Sequence, residues 1–231
     1  MDSINRAVAQ LLEENRQFFN GRPIAFDGVV DEATFLKTDL KTVFLLKEIN
    51  DPNMSKDWTN FMENTKQQAY EDTMYKTWPN VCLWVEALRN PSVNYSDCVD
   101  AYGNFATKKL QRNILEVAIV NIKKTAGGGS SSHDEILDAA TKYGHVIRTE
   151  IEECIMPNLV ICGGTFDYAK VIYQIKEHEI HTLPSGAQYF CKNNIIYLRF
   201  VHPVWFSVNR NILFAYAKTV FSEVRKLFPL H

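Results

Sequence analysis

The sequence predicts an α/β fold, a three-layer α/β/α sandwich around a central, mostly parallel sheet of four strands. Three observations lead there. Four short continuous apolar runs recur along the chain, the mark of strands buried on both faces. Longer stretches of helical periodicity separate them, and that alternation builds parallel sheets. With 231 residues, 46% of them hydrophobic and 12% aromatic, the chain can bury one such core without a second domain. The expected organisation is one domain over 1–231, with 1–40 an N-terminal helical extension and 41–231 the α/β core.

The elements follow in order. Residues 3–20 read as a helix opened by Ser3, with Ile4, Val8, Leu11, Leu12 and Phe18 on one face before Gly21 and Pro23 stop it. The first strand is Thr42 to Lys47 (TVFLLK). From 55 to 90 the pattern is helical, with Pro79 expected to break it in two, and a further helix is expected over 96–113. Leu115 to Asn121 (LEVAIVN) is the second strand. The tract Gly127-Gly128-Gly129-Ser130-Ser131-Ser132 is too short for an interdomain linker and reads as a functional loop before a helix over 133–155. Asn158 to Cys162 is the third strand, 180–194 reads as an added hairpin, and Ile195 to Val201 is the fourth strand. A C-terminal helix over 209–227 closes the chain.

Charge and cysteine content narrow the function classes. Twenty-five basic against 27 acidic residues leave a net charge of −2, so nucleic acid would have to be met by a local patch rather than a positive surface. No apolar run approaches the roughly 20 residues that span a bilayer, and Met1 to Arg16 is polar and amphipathic. The expectation is a cytoplasmic monomer without a membrane. The five cysteines, Cys82, Cys98, Cys154, Cys162 and Cys191, are odd in number and contain no C-x-x-C pair. They read as reduced thiols; no metal site and no cofactor is expected.

In open α/β sheets ligands bind beyond the carboxyl ends of the strands. Here those ends read Glu48-Ile49-Asn50-Asp51-Pro52, Asn121-Ile122-Lys123-Lys124, Gly163-Gly164-Thr165 and His202-Pro203. Singly each has a plain structural explanation: Asp-Pro and Gly-Gly make turns, Asn satisfies loop backbone, and His caps strands. Together and in this order, FLLKEINDPN, VAIVNIKK, LVICGGT and RFVHPVWFSVNRN resemble the motifs of the uracil-DNA glycosylase superfamily over roughly residues 40–228. That family places a water-positioning motif after its first core strand, in forms such as G-Q-D-P-Y-H, G-E-A-P-G or G-I-N-P-G. A base-reading Asn follows a middle strand, a Gly-Ser turn follows the next, and H-P-S-P precedes the last helix. Two departures stand out: Lys47 occupies the usual Gly position, and Val204-Trp205 replace Ser-Pro.

The resemblance implies a DNA glycosylase that extrudes a pyrimidine-type base and hydrolyses its N-glycosidic bond, leaving an abasic site. Cleavage builds positive charge on the sugar and negative charge on the base, so the site needs a group to orient water and donors for the departing anion. Asp51, Glu48 and Asn50 are the alternatives for the first role, with Asp51 and then Glu48 preferred. His202 would donate to the base carbonyl as a neutral imidazole, and Asn121 would read the pairing edge. Lys123, Lys124, Arg210 and the backbone around Gly128, Ser130, Gly164 and Thr165 would meet DNA phosphates, while Trp205 and Phe206 would wedge into the gap. The lysines read equally as a solvated face and the aromatics as core packing.

Asn53 sits where uracil-specific members carry a Tyr that blocks carbon 5 of the pyrimidine. A smaller residue there points to a 5-substituted base, such as the hydroxymethylated or glycosylated cytosines of phage DNA, and hence to antiviral defence. The alternatives are uracil removal in base-excision repair and a non-catalytic nucleic-acid-binding module of the same fold.

Overall fold

The computed structural model describes residues 3–50, 55–71, 74, 77–102, 104–127, 132–204 and 208–228. Among these, seven strands form one sheet: β1 (Gly28–Val29), β2 (Thr42–Leu46), β3 (Val117–Asn121), β4 (Leu159–Gly163), β5 (His181–Thr182), β6 (Gln188–Lys192) and β7 (Ile195–Phe200). Their order is β1-β3-β2-β4-β7-β6-β5. The four strands read from apolar runs, β3, β2, β4 and β7, are adjacent and mutually parallel. The sheet is nevertheless mixed and larger than the four strands expected, because β1 adds to one edge and β6 and β5 to the other, all antiparallel. The last hairpin turns at Asn193 and Asn194, both at positive φ (50° and 62°), which is the two-residue turn whose twist matches paired strands.

The helices are α1 (Ser3–Glu14), α2 (Glu32–Phe35), α3 (Phe61–Gln68), α4 (Trp78–Arg89), α5 (Tyr95–Cys98), α6 (Lys108–Gln111), α7 (His133–Thr149), α8 (Phe166–Tyr173) and α9 (Arg210–Arg225). They cover both faces. Phe44 and Leu46 of β2 pack with α4 and α9 on one side, and Val43 and Leu45 pack with α1, α7 and α8 on the other. That alternation is why a continuous apolar run is the right composition for β2. No helix of the described residues is long and apolar enough to cross a membrane.

Several expected boundaries shift for local reasons. Pro79 does not break a helix; it lies in the first turn of α4, where its missing N–H costs nothing. The helix expected over 96–113 is interrupted because the Asp100 carboxylate takes the N–H groups of Tyr102 and Asn104, at 2.8 and 2.9 Å, and holds a loop between α5 and α6. Helix α7 continues into a π-helix, Glu150–Ile155, ended by Met156 at φ 52°. Nor are the first 40 residues a purely helical extension. Val8 and Leu12 of α1 are core residues, β1 belongs to the sheet, and the Asn5 side chain ties the two together through Val29.

Candidate functional site at the carboxyl edge of the sheet

The carboxyl ends of β3, β2, β4 and β7 lie side by side, so the four motifs come together along one edge. Beyond the strands the first two loops stay in register: Ile122 N–H donates to Leu46 O (2.9 Å), Lys123 N–H to Lys47 O (2.8 Å) and Gly127 N–H to Ile49 O (2.9 Å). The Glu48 carboxylate lies flat on Gly127, where a Cβ would fall 2.1 Å from Glu48 Cδ. Lys123 Nζ donates to both Glu48 and Glu135 at 2.6 Å. Burial works against the Lys123 charge, but the carboxylates of Glu135 and Glu48 outweigh it and hold its pKa above the ordinary value.

This arrangement corrects two expectations. The Glu48 side chain is only 3% exposed and is committed to Lys123, so it clamps the loops instead of orienting water. Lys123 is a clamp as well, not a phosphate contact. Asn50 remains exposed beside Gly127. Asp51 and Asn53 lie outside the described residues, as do Gly128, Ser130, Trp205 and Phe206.

At the end of β3, Asn121 is buried and held by a residue the sequence reading passed over. Asp27 Oδ2 accepts from the Asn121 backbone N–H (2.6 Å) and from Nδ2 (3.1 Å). Asp27 Oδ1 accepts from Lys124 Nζ at 2.7 Å, and Lys124 also donates to Glu150 Oε2 at 2.5 Å. All three charged side chains are 0% exposed. Lys124 is therefore a core cation; the enclosing carboxylates leave no path to a phosphate. Burial and the neighbouring Asp27 carboxylate push the Glu150 pKa well above its ordinary value, against the pull of Lys124. No local pattern could have revealed this cluster, whose members come from β1's approach, the loop after β3 and the start of the π-helix.

Between β4 and β7 the close approach is made by glycines. A Cβ on Gly163 would lie 2.9 Å from Leu46 Cδ2 and 3.2 Å from Pro203 Cδ, and one on Gly164 would lie 3.4 Å from His202 Cβ. Gly164, at φ 69°, donates its N–H to Phe200 O (2.9 Å), and the fully buried Thr165 hydroxyl donates to Leu45 O (2.6 Å). With the Gly164 N–H taken and Thr165 fully buried, neither is left for a phosphate, which corrects that expectation too. His202 Nδ1 accepts the Val204 N–H at 3.1 Å, so in the neutral ring the proton sits on Nε2. Burial, with Lys47 adding its positive charge, pulls the His202 pKa down to about 4. Asn80 at the start of α4 steadies the loop by donating Nδ2 to Pro203 O at 2.5 Å, while its buried Oδ1 has no partner among the described residues.

No protein-family model matches the chain, and no curated protein does either. The site therefore stands on its own geometry. Among the described residues no cluster of three or more His, Cys, Asp or Glu could hold a metal ion. Arg210 is the first residue of α9, at the same edge as the His202 loop. A cavity of about 670 Å³ lies at the opposite edge, against Thr42 and Val117 at the starts of β2 and β3. Arg89 there is already paired with Glu86 and Glu116, and none of the carboxyl-end motifs reaches that cavity.

Proposed function

We propose that the chain is a DNA glycosylase of the uracil-DNA glycosylase type, built as a three-layer sandwich with the four parallel strands at its centre. Its substrate is DNA carrying a 5-substituted pyrimidine, and it works in the cytoplasm as a monomer without a cofactor, in defence against phage DNA. The observation that carries this reading is His202. It is a neutral imidazole with its proton on Nε2, after the end of β7, on the same carboxyl edge as Asn121 at the end of β3 and Asn50 beyond β2.

That arrangement suits heterolysis of a glycosidic bond. As the C1′–N bond breaks, both electrons pass to the base nitrogen and negative charge spreads onto the base carbonyl oxygen. A neutral N–H donor stabilises that oxygen without having to give up its proton. Asn121, its amide fixed by Asp27, is suited to read the pairing edge of the extruded base, and the loop at 50–53 supplies Asn50 and Asp51 as candidates to orient the water that adds to C1′.

The test is to incubate the protein with single- and double-stranded DNAs carrying uracil, 5-hydroxymethylcytosine or its glucosylated form, then cleave abasic sites with alkali. Breaks at the 5-substituted bases are expected. Breaks at uracil alone would assign the protein to base-excision repair, and binding with no breaks at any base would leave a non-catalytic module.

A further inference from the structure

Lys47 and His202 stand on the same carboxyl edge of the sheet, two strands apart, and the Lys47 charge is felt at the His202 imidazole. Strands β2, β4 and β7 are consecutive in the sheet, with Leu45 opposite Cys162 and Gly163 opposite Phe200. Lys47 is the first residue after β2 and His202 the second after β7, so both stand at the edge, with Gly163-Gly164 at the end of β4 between them. Two strand spacings of about 4.8 Å separate their backbones by roughly 10 Å, within the combined reach of an extended lysine and an imidazole. The glycines let Leu46, Pro203 and His202 pack directly on the backbone at the end of β4, where a Cβ would fall 2.9 to 3.4 Å from them. The adjacent carboxylate, Glu48, is turned away to Lys123, and among the described residues no carboxylate ion-pairs with Lys47.

From this juxtaposition we infer that Lys47 is a further catalytic residue, an ammonium that stabilises the negative charge gathering on the departing base beside His202. The inference rests on the glycosylase reading above. The two groups divide the work: His202 gives a directed hydrogen bond to the carbonyl oxygen, and Lys47 supplies the full positive charge that a neutral imidazole lacks. No proton need move, because the base leaves as an anion and takes its proton from solvent afterwards. In a half-buried setting a fixed ammonium close to a developing anion lowers the barrier far more than it would in water.

The experiment is a leaving-group series on DNA, measured in single turnover with wild type, Lys47→Met and Lys47→Arg. Uracil and 5-fluorouracil serve as probes, the latter being the more acidic leaving group, together with the best 5-substituted cytosine. Lys47→Met should slow uracil release by about 10²-fold and 5-fluorouracil release by clearly less, because a more stable anion needs less help; Lys47→Arg should recover part of the loss. The melting temperature of each variant checks folding. Equal losses for both leaving groups, or a loss confined to DNA affinity and abolished by added salt, would overturn the proposal and make Lys47 a phosphate contact. A second readout is independent of turnover: NMR titration should find the His202 pKa raised in Lys47→Met. Failure of wild type to release any base would sink the glycosylase reading and this role with it, while the titration would still report whether the ammonium faces the imidazole. An unmoved His202 would overturn the geometry itself.

Discussion

His202 carries the sharpest consequence at the residue scale. Its pKa in the folded protein is pulled down to about 4, below the ordinary histidine value of 6.5. The unfolded chain therefore takes up a proton that the folded protein refuses. Stability should be full above pH 6.5 and fall as pH drops from there towards 4, because the unfolded state binds more protons throughout that window. Thermal unfolding of wild type and His202→Gln between pH 4 and 7 tests this: the wild type should show the steeper acid loss, and identical slopes would mean that His202 is not buried as the neutral form. The Asp27–Lys124–Glu150 cluster makes a second residue-scale prediction. The upward shift of Glu150 favours its protonated form, which Gln mimics, so Glu150→Gln should cost less than about 1 kcal/mol. Asp27→Ala leaves Asn121 without its acceptor and the buried Lys124 with Glu150 alone, and should cost about 3–5 kcal/mol. Chemical denaturation separates them, and a Gln variant as unstable as the Ala variant would show that Glu150 is needed as a charge.

Among the elements, the loops after β2 and β3 behave as one unit. They share backbone hydrogen bonds from Leu46 to Ile49, and they are pinned by Glu48, Lys123 and the bare Cα of Gly127. Gly127→Ala should therefore be destabilising by about 1–3 kcal/mol, since Glu48 cannot swing aside while Lys123 holds it. Shortening the side chain it strikes should relieve the clash, so Glu48→Ala combined with Gly127→Ala should lose less than the sum of the single changes. Strict additivity in a double-mutant cycle would show that the two residues are not in contact. The same economy of small residues operates at Gly163 and Gly164, where Leu46, Pro203 and His202 pack close to the backbone because no side chain stands in the way.

For the whole molecule the deciding quantity is charge. A net charge of −2 already excludes a broadly positive surface, and Lys123 and Lys124 are spent internally. DNA would then be held by few phosphate contacts. If two or three phosphates are neutralised, the slope of log affinity against log salt should be about −2 to −3. Fluorescence anisotropy with a labelled duplex over 50 to 200 mM salt measures it, and a slope near −10 would require a positive surface that these residues do not provide.

The amino-acid sequence by itself determined the four parallel strands and the residues at their ends. Burial on both sheet faces leaves its mark in every residue of TVFLL or VAIVN, and a strand's end is marked by the first polar or glycine residue after it. The edge strand Gly28–Val29, two residues long, is too short to leave a pattern, so that edge of the sheet was not legible, whereas the hairpin read at 180–194 is present as β5 and β6 on the other edge. Only the tertiary structure decided what the strand-end residues do. Lys123 and Lys124 look like surface cations in the chain, yet one faces Glu48 and the other Asp27, a residue 97 positions away, and ion pairs across such separations have no periodic signature. The protonation of His202 was set in the same way, by burial and by a lysine two strands over. A side chain's charge state depends on what surrounds it in space, which a linear pattern does not record.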